Sequence, residues 1–502
     1  MKKYLYVIPY FILIVLPIAG IFEKGCDLSA LFWSERRLGL LWNSVRLAGV
    51  SSFLCVLTGF FAALGLRSRF WAGKSRRWFF MLLSPVPFYI YSLSFIYIVR
   101  FIGRYSISFM QKTAAGFIPC MFINLLSFLP LSTGAILISL EHFNKDAEDM
   151  GRVYSAYLRG ILSILIPGLA PIMGSVFTII FSLIITDYSV SSLFQYPTYT
   201  LEIFTEFSRN GDTSNSGLYA LIISIPIALL LALSIAQVDK YTSGWGTARK
   251  DAISLSGGTK ILSIAGLLLC AFQVASPMII FIIESDGIGN MIEVLTGNIE
   301  ELINSVVISV MAGILAVLIA GIALIGIVKI NRPKLVLGLG LFPLAVPSSL
   351  IAIGLLKIVN GSAITFIQRS IIWPAIGCVC KYIPVALLIL YAYDRRKNIK
   401  EIELGAIYMK GRWSYVKNIL IPVYFPAVMM ALGIVSILSF GEESIGIVMM
   451  PPGRQLLAVK MFNYLHYGAS DYVCCFGLIN LVLMAIIMGL LFTQLSNHNR
   501  ID

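Results

Sequence analysis

Glu148–Pro171 reads EDMGRVYSAYLRGILSILIPGLAP, and Glu403–Pro426 reads ELGAIYMKGRWSYVKNILIPVYFP. Both carry a leading Glu, an Ile-x-Ile-Pro and a second Pro at one spacing: subtracting 148 from 403, 167 from 422 and 171 from 426 gives 255 each time. Each stretch is a polar, basic interruption in an apolar chain. A unit of about half the 502 residues is therefore used twice, and a repeat of that size bears on the whole fold.

Outward from these stretches the chain is 58% hydrophobic and only 13% charged, far from a soluble domain. Apolar runs of about 20 residues, each enough for the ~30 Å hydrocarbon core, are expected at 4–22, 44–66, 78–99, 115–139, 168–187 and 217–237. A second set follows at 260–283, 303–328, 335–357, 371–393, 424–445 and 473–493. The expectation is an all-α polytopic membrane protein of about twelve transmembrane helices. Met1–Phe22, with Lys2-Lys3 before a long apolar run and no clear A-x-A site, reads as a signal anchor and the first span.

The formal charge of +13 sits in loops, so it reports orientation rather than nucleic-acid binding. Lys and Arg crowd alternate loops, densest from Arg395 to Lys417, whereas Glu284–Glu301 has neither. Both termini and both repeated stretches are thereby expected on the cytoplasmic side. The halves also match elsewhere. Asn43-Ser44-Val45 and Asn304-Ser305-Val306 open equivalent spans, offset by 261, and the same offset aligns Ser51, Cys55 and Gly59 with Ala312, Ala316 and Ala320. Small residues at every fourth position let helices approach closely in lipid. Pro85 matches Pro343 and Pro130 matches Pro384. Six spans per half give two parallel six-helix repeats, 1–245 and 246–502, with the boundary in Val238–Gly258.

In the second copy, Glu403–Met409 is expected to form a short helix and Gly411 a sharp turn. A second helix from about Arg412 to Leu420 is then ended by Pro422. Such an element either lies on anionic lipid through Lys410, Arg412 and Lys417 or inserts into a partner's groove; two copies at equivalent positions favour a two-fold partner.

These stretches resemble the EAA loop of permease subunits of binding-protein-dependent ABC importers, whose pattern is Glu-Ala-Ala, three residues, Gly, nine residues, Ile-x-Leu-Pro. Glu148 and Glu403 stand at its Glu, Ile164 and Ile419 at its Ile, Pro167 and Pro422 at its Pro. Asp149-Met150 and Leu404-Gly405 replace the Ala pair, Tyr154 and Met409 replace the Gly, and Ile166 and Ile421 replace the Leu; Gly411 lies two residues beyond Met409. Gly441–Asp471 is similar to the segment between the last two spans of fused ferric-iron-type permeases, whose relatives also move thiamine or aminophosphonates. The resemblance implies a permease in a bacterial cytoplasmic membrane. Its loops at 148–171 and 403–426 would couple to an ABC ATPase, a homodimer by expectation, and an extracytoplasmic binding protein would deliver a small solute, ferric iron first. The chain has no GxxxxGK[ST] to cradle ATP phosphates. ATP and Mg would belong to the ATPase, and neither a cofactor nor enzymatic activity is expected in this chain.

Candidate path residues are Asp187, Glu442, Glu443 and Lys381. Asp187 and Glu442 are again offset by 255, with Glu443 adjoining. They are expected either solvated at the outer surface or facing each other across the pseudo-two-fold axis. Lys381 lies near the middle of an apolar span, where a charge costs on the order of 3 kcal/mol or more. It is expected either in an ion pair, with Glu442 as the natural partner, or on the solute path. His142, His466 and His498 are too scattered for a metal site, and the cysteines read as small apolar packing residues. A secondary carrier of major-facilitator type would share the twelve-span layout but has no need of paired docking loops. Neither HExxH nor GxSxG is present to suggest a membrane enzyme.

Overall fold

A computed structural model describes residues 2–22, 34–68, 87–103, 115–141, 143, 157–210, 213–242, 257–285, 287–330, 333–360, 365–396, 402, 408, 411–467, 472–483 and 486. The helices that matter below are α1 (Ile8–Ile21), α2 (Glu35–Arg67), α3 (Phe88–Gly103), α4 (Phe117–Glu141), α5 (Tyr157–Ile185), α6 (Ser189–Leu193), α7 (Tyr199–Asn210) and α8 (Thr213–Thr242). They continue as α9 (Gly257–Glu284), α10 (Ile288–Gly297), α11 (Ile299–Ile327), α12 (Pro333–Gly340), α13 (Phe342–Ala345), α14 (Ser348–Asn360) and α15 (Ile372–Arg396). The last are α16 (Arg412–Tyr415), α17 (Ile421–Phe440), α18 (Glu443–Met449), α19 (Leu457–Tyr467) and the apolar helix α20 (Tyr472–Leu483). Among the described residues eight helices are long and apolar enough to cross a membrane, and a bent pair makes a ninth if it is one span. The described residues are thus helical in their regular structure, and the chain is a polytopic membrane protein, as its apolar runs predict.

Helix α2 shows how the sequence sets an element. Ser34 caps it, its hydroxyl accepting from the Arg37 N–H at 3.3 Å, with Glu35 in the first turn and Arg67 in the last. Its small residues face α4: a Cβ added to Gly59 would lie 2.3 Å from Ser132 Oγ, and the buried Cys55 thiol lies 3.7 Å from the Leu125 carbonyl oxygen. Ala312, Ala316 and Ala320 are fully buried along α11, and a Cβ on Gly313 would lie 2.4 Å from Ser436 Oγ in α17. In lipid this closeness matters, because packing rather than water expulsion holds helices together.

The packing recurs along the chain. Helix α2 packs on α4, α5 and α7; α11 packs on α15, α17 and α19. The first backbone N–H of α7, at Tyr199, donates to Ser44 Oγ at 2.8 Å, and that of α19, at Leu457, donates to Ser305 Oγ at 2.8 Å. Charged pairs reinforce both junctions: Arg36 with Glu202 and Arg37 with Glu206, then Lys460 with Glu301. The leading helix of each set crosses to the other. Helix α9 packs on α2 and α3, while α1 packs on α14. The α1–α14 approach is backbone on backbone, since a Cβ on Gly20 would lie 2.1 Å from the Gly354 oxygen. Tyr10 of α1 donates to the Gly340 carbonyl at 2.9 Å.

Two expectations change. Pro422 does not end a helix: α16 runs through a π-helical turn at Val416–Leu420 straight into α17. Proline in an α-helix clashes with the carbonyl four residues back, and the wider π turn just before Pro422 moves that carbonyl away. Likewise Pro167 and Pro171 lie inside an unbroken α5. The run at 335–357 is not one straight span, because its two parts meet at 92°. Pro347 there has no N–H to continue a helix, and Val346 before it is extended. Most of the expected repeat boundary, 243–256, lies outside the described residues.

Candidate functional site

The 92° bend leaves carbonyls that no helix satisfies. Two are met by side chains from different helices. Ser182 of α5 donates to the Leu344 carbonyl at 3.0 Å, and the buried Lys381 ammonium of α15 donates to the Val346 carbonyl at 2.6 Å. Lys381 therefore does not pair with Glu442 as the first alternative supposes. A lysine in this position supplies N–H donors to a break that would otherwise strand a peptide oxygen in an apolar interior.

The acids gather beside that bend. Helix α17 stops at Phe440, Glu442 is the extended residue preceding α18, and Glu443 is the first residue of α18. One Glu442 oxygen accepts from the Tyr382 hydroxyl and, at 3.3 Å, from Ser348, the first residue of α14. At the matching end of α5, an Asp187 oxygen accepts from the Val190 N–H at 3.2 Å and closes the turn into α6. Ser189 of α6 donates to Glu443 across the two parts of the chain. The other Glu443 oxygen, Oε2, has no hydrogen-bond partner among the described residues, although Glu443 is only 2% exposed. Lys381 lies within electrostatic reach of both Glu442 and Asp187.

All four candidate path residues thus meet at one junction, with Glu442 and Glu443 buried rather than solvated and Asp187 partly covered. Ser189, Tyr382, Ser348 and the bend at Val346 were not among the sequence candidates. A signal for the bend did exist, since Pro343 and Pro347 bracket Val346 within a run predicted as a single span.

At the far ends of α5 and α17 lie the repeated stretches. Glu148, Tyr154, Glu403 and Met409 fall outside the described residues. Gly411 has φ +105°, a conformation that favours glycine, as a sharp turn there requires. Trp413, two residues on, is 74% exposed, Ile164 and Ile419 are half-buried, and Pro167 and Pro422 are exposed. The 20 residues of α17 span roughly 30 Å, so the two regions sit at opposite ends of one helix. Among the described residues, no three His, Cys, Asp or Glu side chains are grouped to hold a metal ion.

Compared with known proteins, the chain matches no family model and no curated sequence.

Proposed function

We propose that the chain is the permease subunit of a binding-protein-dependent ABC importer, moving a small solute across a bacterial cytoplasmic membrane with both termini inside. The layout is twelve spans in two parallel repeats, counting α1, α3 and α20 with the longer helices and α12–α14 as one broken span. The observation that carries the reading is the shared placement of the two stretches. The described part of each, 157–171 or 411–426, lies in or runs into the helix, α5 or α17, whose other end forms the polar junction. A displacement at the stretch is delivered along a stiff helix to the place where the two parts of the chain touch. The recurring Ser44–Tyr199 and Ser305–Leu457 bonds support an internal two-fold, which suits a dimeric ATPase. Energy comes from that ATPase, which binds ATP and Mg; a separate extracytoplasmic protein delivers the solute, and nucleic acid is not a partner.

The test is co-purification from native membranes, followed by ATPase assay in lipid vesicles with and without Gly411→Val and Glu403→Lys. The expected result is a bound ATPase whose hydrolysis falls at least tenfold in both variants. Uptake driven by an ion gradient with no ATPase bound would overturn the reading in favour of a secondary carrier.

A further inference from the structure

Glu443 stands out at the junction because its acceptor capacity is half used. An ionised carboxylate offers about four lone-pair sites on two oxygens. Oε1 receives Ser189, while Oε2 is buried without a hydrogen-bond partner among the described residues. The Tyr188 hydroxyl is buried beside it, next to Ser444, and Tyr188 is within electrostatic reach of Glu443, Asp187 and Glu442. The junction holds three carboxylates against the single ammonium of Lys381, which is already committed to the Val346 carbonyl. A buried carboxyl group stays charged only where a cation meets it, so the junction suits a cation.

The geometry also selects the kind of cation. A bare metal ion needs several oxygens converging at about 2.0–2.6 Å. Here the carboxylates are parcelled out: Asp187 turns to the Val190 N–H, Glu442 to Tyr382 and Ser348, and Glu443 to Ser189. Their free lone pairs come from different helices and suit a larger cation with N–H donors pointing several ways. Charge-assisted N–H to carboxylate bonds are about twice as strong as neutral ones.

We propose that Glu443, with Asp187 and Tyr188 beside it, binds the protonated amine of a small organic cargo during transport. This rests on the permease reading and replaces iron with an amine as the solute class. Ser189 holds the place of that amine in the present, closed arrangement. Its bond to Glu443 crosses between the two parts of the chain, so their separation frees both oxygens, and an ammonium then takes over the acceptor.

The experiment uses the purified full chain in detergent, without ATPase or binding protein, and follows thermal unfolding while putrescine is titrated. Tetramethylammonium, a cation with no N–H, and ferric citrate are the comparison solutes. A saturable rise in midpoint with putrescine is expected, with tetramethylammonium and ferric citrate inert. Glu443→Gln should weaken the putrescine response at least tenfold. Ser189→Ala, which removes the competing hydroxyl and leaves the carboxylate, should strengthen it a few-fold, so the idea remains testable if the glutamate variant does not fold. No response to putrescine, an equal response to tetramethylammonium, protection by ferric citrate, or an unchanged affinity in Glu443→Gln would each overturn the assignment. Because no ATPase is present, failure here is separate from failure of the coupling test.

Discussion

Replacing Ser44 and Ser305 by alanine, one at a time, asks whether the two parts of the chain are built alike at the level of single hydrogen bonds. Each serine is buried and accepts the first backbone N–H of a short helix, α7 or α19, at 2.8 Å. That N–H has no partner inside its own helix. Losing a cap acceptor costs roughly 0.5–2 kcal/mol, and stranding a buried donor roughly 1–3 kcal/mol. Taking about 1–2 kcal/mol, local opening of the affected helix should become ~5–30 times more frequent. Hydrogen exchange on the purified chain reads this directly. Amides at the start of α7 should exchange faster in Ser44→Ala while those of α19 stay unchanged, and Ser305→Ala should give the mirror result. The double variant should show both effects without coupling, because the sites share no partner. Unchanged exchange in either helix, or loosening of both by one substitution, would refute the equivalence.

Two further outcomes follow from the packing and the bend. Gly59→Ala should destabilise by roughly 1–3 kcal/mol, since the new methyl overlaps Ser132 and approaches the Thr133 nitrogen, whereas Gly49→Ala in the same helix meets nothing and should be neutral or stabilising in thermal unfolding. Lys381→Met should insert normally but alter uptake, because the Val346 carbonyl loses its donor and the acids lose their nearest ammonium; wild-type transport in vesicles would reduce Lys381 to packing.

Span positions were legible in the sequence because a run of apolar residues long enough to cross lipid has few other uses. The expected 303–328 and the observed Ile299–Ile327 differ only at the ends. The match between Ser44 and Ser305 was legible as well, although the bonds they make reach helices more than 150 residues away. Proline misled in both directions. Pro422 looked like a stop and is absorbed by a π turn, while Pro347 sits at a 92° bend inside what read as a single span. Proline removes a donor wherever it stands, but whether the helix breaks depends on what neighbouring elements offer to the freed carbonyl. The same applies to the candidate site. That Asp187, Glu442, Glu443 and Lys381 belong together could be guessed from a shared offset and an intramembrane charge. That Lys381 serves a backbone oxygen rather than Glu442 could not, because its partner is created by the bend.

The crossing of α1 onto α14 has a consequence for biogenesis. The Tyr10 hydroxyl finds its acceptor, Gly340, 330 residues later in the chain. At ribosomal rates of about 5–20 residues per second, that acceptor emerges roughly 15 to 65 s after the tyrosine. Through that interval the Tyr10 hydroxyl is without the acceptor it has in the fold. Helix α1 is then among the last elements to be fully fastened, and a ribosome that stalls before Gly354 releases a product in which α1 lacks its main packing partner.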